Sequence, residues 1–409
     1  MPDFPIAAVR SHFPALSRHV SGQPAVYFDA PGGTAACDRA IAGVAQRMSE
    51  GSAHAGGPFA TSIETAAMCA QAQAAMADLL GAKPAEIAFG PNMTSITFAV
   101  SRALARDWRA GDELIVTRLD HDANVAPWLQ VAEDRGMSVR WLDFDPTTGR
   151  WSLDDLAALL GPKTRLVALG MASNALGTLN PVAEACVLVR ARSDALTYID
   201  AVQSVPHVVT DVATLGCDFL ACSPYKFFGP HQGVLWMRAG LSPRAYKVRP
   251  AGGDGAHRFE TGTPSFEGQA GVLGAIDYLE WLGGDADPAA NSRRARLIAA
   301  MTSIAVYERG IGEHMLAGLA TIPGLKLWGP PTMDGRVPTF SFTLAGHDPQ
   351  AVSQHLADRG IFAWAGHFYA VEAIDRLGLA GPGGLLRVGL CHYSTTEEVD
   401  RLIAALRDL

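Results

Sequence analysis

Residues 165–200 read RLVALGMASNALGTLNPVAEACVLVRARSDALTYID, and this stretch decides the fold. Two short apolar runs, RLVALGM and ALTYID, enclose a helical segment, VAEACVLVRARS. A continuous apolar run is what a strand buried on both faces looks like, and a helix joining two such strands is a crossover. The unit recurs in both directions. Upstream stand EIAFG, LIVT (114–117), a helix around Trp128 to Arg135, SVRWLD and SLDDLAALL; downstream stand DFLACS and GVLWM. Pro91-Asn92-Met93-Thr94 opens a helix toward Trp108, and the alanine-rich stretch up to Leu80 stops at Gly81, a residue suited to a left-handed helix end. The pattern predicts an α/β chain with a mostly parallel sheet.

Near residue 283 the texture changes. GGDADPAANS is rich in breakers, and a long helix follows from Ser292 to about Ala320. Beyond it, LKLWG, VPTFSFTL, DPQAVSQHLADRG, IFAWAG, LLRVGL and TTEEVDRLIAALRDL predict a smaller α+β domain. The expected division is a large domain over residues 24–283 and a small one over 284–409 together with 1–23. A chain of 409 residues is long enough to carry two cores.

The chain has 33 basic and 41 acidic residues, a formal charge of −8, and 48% hydrophobic content. A net acidic balance argues against nucleic acid as the partner. No apolar run reaches the length of a membrane span, and the first residues carry no secretory pattern, so a cytoplasmic protein is expected. The six cysteines are scattered without a C-x-x-C pair, which indicates neither a disulfide framework nor a zinc site.

In open α/β sheets ligands sit beyond the carboxyl ends of the strands, so polar residues just after apolar runs merit inspection. Asp120-His121-Asp122 follows LIVT, Ser173-Asn174 follows RLVALGM, Asp200 and Gln203 follow ALTYI, and Ser223-Pro224-Tyr225-Lys226 follows DFLAC. A lysine placed so, if buried, has a depressed amine pKa and attacks aldehydes. Pyridoxal 5′-phosphate supplies such an aldehyde and a ring that accepts electrons from a substrate Cα. Asp200 is placed to face the ring nitrogen, the helix opening at Asn92, Met93 and Thr94 offers N–H groups to the phosphate, and His121 offers a flat ring for stacking. Gly262-Thr263 forms a turn before a helix, a candidate second phosphate contact. Arg387, in LLRVGL, is a candidate clamp for a carboxylate.

Each residue also has a plainer reading. Lys226 could be a surface lysine, Arg387 an exposed strand arginine, and the His121 region a cap in which Asp120 and Asp122 start a helix. Asp-His-Asp could hold a metal, but no further ligand recurs at suitable spacing. Ser223-x-x-Lys226 matches the motif of an acyl hydrolase with a serine nucleophile. That chemistry wants a helix there, and Phe227-Phe228-Gly229-Pro230 does not continue one.

Taken together, AVYFDAPGGTA, LDHDANVAPW, ASNALGTLNP, YIDAVQSVPH, CSPYKFFGPHQGVL, RFETGTPSFEG and LLRVGLCHYSTTEEVDRL resemble the aminotransferase class V family, especially its cysteine desulfurase and selenocysteine lyase branch. The resemblance implies a fold-type I pyridoxal phosphate enzyme with a mostly parallel sheet of the seven-stranded type, working as a homodimer on a small amino-acid substrate. It implies Lys226 as the Schiff-base lysine, Asp200 on the pyridinium, His121 on the ring, and Asn174 and Gln203 at the 3-oxygen. Asn92, Met93 and Ser223 would hold the phosphate, with Thr263 reaching in from the other subunit. Arg387 would bind the substrate carboxylate, and His54 would lie near the substrate.

Two departures follow. Desulfurases carry a loop cysteine in a segment like R-x-G-H-H-C-A; here it reads Trp364-Ala365-Gly366-His367-Phe368-Tyr369-Ala370, with tyrosine in the cysteine's place. A phenol does not accept sulfane sulfur as a thiolate does. Tyr225 stands where desulfurases often have histidine before the lysine. The expected reaction keeps the cofactor chemistry without the persulfide step, with elimination or transamination as outcome and epimerisation as the alternative. Trp364, Phe368 and Tyr369, beside His367, predict an aromatic mouth for a substrate with an apolar or ring-bearing side chain.

Overall fold

The computed structural model describes residues 4–51, 53–244, 255–381 and 383–409. The apolar runs form one seven-stranded sheet. Its strands are β1 Ile87–Gly90, β2 Glu113–Thr117, β3 Ser138–Leu142, β4 Thr164–Gly170, β5 Leu196–Asp200, β6 Phe219–Cys222 and β7 Gly233–Met237. The order is β1-β7-β6-β5-β4-β2-β3. Strand β7 runs antiparallel to both neighbours, and every other pair is parallel. Leu166, Val167, Ala168, Leu169, Tyr198, Ile199 and Leu220 are fully buried, as strands covered on both faces require. Each large apolar side chain among them contributes roughly 1.5–3 kcal/mol by leaving water.

Helices Met93–Leu104, Ala126–Arg135, Leu153–Leu159 and Val182–Arg192 make the connections. The alanine-rich helix spans Ala60–Leu80 and ends on Gly81 at φ 69°. Two helices that pack together, Asp38–Glu50 and Phe266–Ala286, complete the cover of the sheet. The second runs through the expected joint at 283.

A four-stranded antiparallel sheet follows: β8 Leu325–Trp328, β9 Thr339–Leu344, β10 Trp364–Gly366 and β11 Leu385–Gly389, in the order β8-β9-β11-β10. The run IFAWAG is therefore two strands. Trp364–Gly366 joins this sheet, while Ile361–Phe362 pairs in parallel with Val26–Tyr27. That pairing ties an N-terminal segment to the C-terminal body, and Val26 and Phe28 share its core with Phe340, Phe342 and Val388. Val9 and Phe13, by contrast, lie in the core of the larger body. Helix Arg293–Leu319 spans both, with Leu297 and Ile304 in one core and Ile311 and Met315 in the other. Among the described residues, no helix is long and apolar enough to cross a membrane.

The chain from Asp29 to Gly33 is clamped between the two bodies, and Asp29 bridges to Gly389. A Cβ on Gly389 would stand 2.1 Å from Pro31 Cγ, so no other residue lets this segment approach. Gly389→Ala is expected to destabilise the protein by roughly 1–3 kcal/mol, the range for overpacking. Thermal unfolding of the purified variant would check it; an unchanged midpoint would show that Pro31 yields freely.

Candidate active site

Strands β1, β2, β4, β5 and β6 all point the same way and deliver polar residues to one sheet edge. Together they enclose an inner cavity of about 60 Å³ lined by Asn92, Met93, Thr94, Asp120, His121, Asn174, Asp200, Gln203, Ser223, Tyr225 and Lys226 among others. It adjoins an outer cleft of about 1030 Å³, whose walls include Asp29, His367, Tyr369 and Arg387. Of the residues given a role in catalysis or in holding cofactor or substrate, all but two line one or the other. The remaining two, His54 and Thr263, are exposed and line neither. They are nevertheless close in the fold, because His54 meets the ring of Phe266, just past Thr263, edge-on at 6.2 Å. Gly262 adopts no left-handed conformation, so the expected glycine-dependent turn is not used there.

Lys226 ends a short 3₁₀ turn, Pro224–Lys226, that follows β6. Its side chain is buried and its Nζ donates to Pro31 O, which excludes the surface reading. Burial, reinforced by the Arg387 guanidinium, pushes its pKa down to about 7 against the pull of Asp200. The amine is therefore substantially neutral, hence nucleophilic, near physiological pH. Loading of the apoprotein with pyridoxal phosphate should accelerate about tenfold between about pH 6 and pH 8 and then level off. Stopped-flow absorbance would read this; a rate still climbing above pH 9 would mean an amine of ordinary basicity.

Asp200 terminates β5, opposite Gly170 of β4, and its Oδ1 accepts the Val202 N–H at 2.9 Å. Burial raises its pKa to about 6, so it is mainly ionised at neutral pH. Its neighbour Asp120 accepts from Gly170 N at 3.0 Å and from Asn124 Nδ2 at 2.8 Å. Burial and the charge of Asp200 raise the Asp120 pKa well above the usual carboxylate range. The expected caps are thus differently employed: His121 itself caps the turn, its Nδ1 accepting from Ala123 N at 3.0 Å. That bond leaves the proton on Nε2. Burial, with Lys226 and Arg387 nearby, pushes the imidazole pKa down to about 4, so the ring is neutral.

The helix Met93–Leu104 points its N-terminus at the cavity. Ser223 Oγ accepts from Met93 N at 3.1 Å, and Asn92 caps the helix through Ser95 N at 2.8 Å. Gly233 permits this approach, since a Cβ there would lie 2.5 Å from the Asn92 carbonyl carbon. With Ser223 bonded to a backbone amide and Lys226 to Pro31, the activating serine–lysine contact of a hydrolase is not formed. Asn174 Oδ1 and Gln203 Oε1 are buried on the cavity wall without a partner among the described residues. Such atoms call for a bound group that donates to them.

Arg387 lies on β11, buried, with Nη1 donating to Asn174 O at 2.8 Å. Burial lowers its pKa to about 9, so it remains a cation at neutral pH, and its Nε has no partner among the described residues. Among the described residues no cluster of side chains suits a metal ion. The cysteines are free, and none lies in the 364–370 segment. Burial holds Cys37, Cys69 and Cys186 up at about 11, and it raises Cys391 well above the ordinary thiol range. Asp29 and Pro31 also line the cleft, and sequence reasoning did not name them. The rule that found Asp200 would have found Asp29, which follows the run AVYF.

A buried amine of depressed pKa, a carboxylate, a neutral imidazole, a helix N-terminus and two unsatisfied amide oxygens form a set of groups that fits pyridoxal phosphate. The comparisons agree with this reading. The chain is 32% identical to a "Cysteine desulfurase" of Pectobacterium carotovorum, over 99% of this chain and 98% of the relative. It is also 32% identical to a "Probable cysteine desulfurase" of Mycolicibacterium paratuberculosis, of which it spans 58%. In structure it resembles the cysteine desulfurase CsdA of Escherichia coli, with a TM-score of 0.82, 25% identity, and coverage of 99% of this chain and 98% of that one. The model of the family described as aminotransferase class-V matches residues 26–402, a span holding every strand of both sheets. The protein therefore belongs to the aminotransferase class V family.

Proposed function

We propose that this class V enzyme acts at Cα or Cβ of an amino acid, as a lyase or an aminotransferase, without a persulfide carried on a loop cysteine. It is a pyridoxal phosphate enzyme of the cysteine desulfurase-like kind. Bound cofactor supplies an aldehyde to the amine and a sink for the electron pair released at the substrate Cα. The observation that carries the reading is the Lys226 amine, buried at the sheet edge in one cavity with Asp200.

In this reading Lys226 would hold the cofactor, and its amine would be the base placed to take the proton from the substrate Cα. Asp200 supplies the negative charge that keeps the ring nitrogen protonated. His121 covers the ring with a neutral imidazole, and Asn174 and Gln203 meet the 3-oxygen. Met93, Thr94 and Ser223, with Asn92 as the cap, hold the phosphate at the helix N-terminus. Arg387 takes the substrate carboxylate. Tyr369 occupies the loop position where a desulfurase has its thiol, and no other described cysteine is both accessible and acidic enough to replace it.

A homodimer completes the site. His54 and Thr263 sit together on the surface, near the exposed apolar side chains Phe59 and Ile63. That arrangement suits residues serving a partner's cavity rather than their own. The aromatic mouth suits substrates with apolar or ring-bearing side chains, and a cytoplasmic location belongs to the same reading.

The purified protein should be yellow, lose that colour with borohydride, and carry the reduced adduct on the peptide containing Lys226. A colourless protein, or an adduct elsewhere, would overturn the reading. An amino-acid panel assayed for pyruvate, keto acid, sulfide and inverted stereochemistry then separates elimination, transamination, desulfuration and epimerisation. Sulfur bound to the protein and released by reductant after L-cysteine treatment would refute the absence of a persulfide step.

A further inference from the structure

The turn that replaces the desulfurase loop is held in an uncommon way. Phe368 and Tyr369 are consecutive non-glycine residues in the left-handed region, at φ 54° and 57°. Each such residue costs on the order of 1–2 kcal/mol, so two in succession persist only where their surroundings fix them. Those surroundings are the active site. Asp122 N donates to Tyr369 O at 2.6 Å, Asn174 Nδ2 donates to Phe368 O at 2.8 Å, and Tyr369 N donates to His367 Nδ1 at 3.0 Å. The same conformation lays the Phe368 ring against the Arg387 guanidinium, with Cζ 4.1 Å from the ring centroid.

These contacts close a cycle. Arg387 donates to the Asn174 carbonyl, Asn174 donates to the Phe368 carbonyl, and the Phe368 ring covers Arg387. Among the described residues no carboxylate is hydrogen-bonded to the guanidinium, and its buried Nε is without a partner. Asp29 is nearby and lowers the cost of the cation, but burial raises the Asp29 pKa, which weakens that compensation. With the Phe368 ring against one side of the cation, the N–H groups that point away from the ring are left for an incoming anion.

We propose that Phe368 is a positioning residue that sets the guanidinium plane of Arg387 for edge-on binding of a substrate carboxylate, and that the strained turn 367–369 exists to hold it there. The proposal rests on Arg387 being the carboxylate-binding residue, and its test separates the two ideas.

The probes are aminooxyacetate and O-methylhydroxylamine. Both have the same reactive nitrogen, which forms a C=N bond to the cofactor carbonyl carbon as the bond to Lys226 breaks and its amine is freed. Only the first carries a carboxylate. Holoenzyme should react faster with aminooxyacetate, as read by the visible absorbance change. Arg387→Ala should remove that preference. Phe368→Leu should cut the ratio of the two rates about tenfold, and Phe368→Tyr should restore it. A preference that survives Arg387→Ala, or is absent from the parent enzyme, defeats the underlying reading and the proposal with it. A preference lost in Arg387→Ala but intact in Phe368→Leu defeats the proposal alone. Should Phe368→Leu not fold, Phe368→Met takes its place; equal slowing with both probes would reveal a merely structural ring and overturn the assignment.

Discussion

Lys226→Ala protein is expected to retain its fold and lose at least about 10³-fold in turnover, the upper part of the range for removing a positioned acid–base group. The side chain is fully enclosed, so truncation leaves a small cavity, but it also removes an amine whose burial is unfavourable, as its depressed pKa records. The variant should therefore melt at or above the parent temperature as apoprotein. Borohydride should no longer attach the cofactor to the chain. Residual activity near the parent level would remove Lys226 from the mechanism, because Tyr225 is the only other ionisable side chain between β6 and the cleft mouth on that turn.

Asp200→Asn separates function from stability in the same way. In the apoprotein the Asp200 pKa is raised from 3.8 to about 6. A raised carboxyl binds its proton more tightly folded than unfolded, so its contribution falls as pH rises through 3.8 to 6 and is fully unfavourable above that window. Asparagine accepts the same Val202 N–H without the charge. The variant apoprotein should be more thermostable than the parent at pH 7.5 and show little difference at about pH 4. Its turnover should drop roughly 10²–10³-fold, since no fixed anion keeps the cofactor ring protonated. Parallel calorimetry and turnover assays check both halves; a variant both less stable and fully active would reverse the account of this carboxylate.

The sequence exposed the large sheet well because its strands are buried on both faces and contain no alternation to confuse them, as in Leu166–Leu169. Rules about strand ends then brought most of the cavity residues into view, because a parallel sheet sends all its carboxyl ends to one edge. Other features depended on partners distant in the chain. Nothing local to IFAWAG says that Ile361–Phe362 pairs with Val26–Tyr27 while Trp364–Gly366 turns to Leu385–Gly389. The helix Asp38–Glu50 has the polar composition of an ordinary surface segment, and its place is set by the helix Phe266–Ala286 against which it packs. His121 displaced the aspartates as a cap because Asp120 is drawn inward by Gly170 and Asn124, residues from another strand and the next turn. The left-handed turn at Phe368 and Tyr369 has no sequence signal at all, for neither residue favours that conformation; only its three anchoring hydrogen bonds explain it.

The pairing of Val26–Tyr27 with Ile361–Phe362 also governs when the enzyme comes into being. At about 5–20 residues per second, a ribosome needs on the order of 20–70 s to cover the roughly 330 positions between those partners. For that interval Asp29 and Pro31, just past Val26–Tyr27, lack the ladder that later fixes them, the Pro31 carbonyl that meets Lys226 included. A nascent chain can assemble its central sheet early, yet it acquires the wall that faces the substrate only near the end of translation.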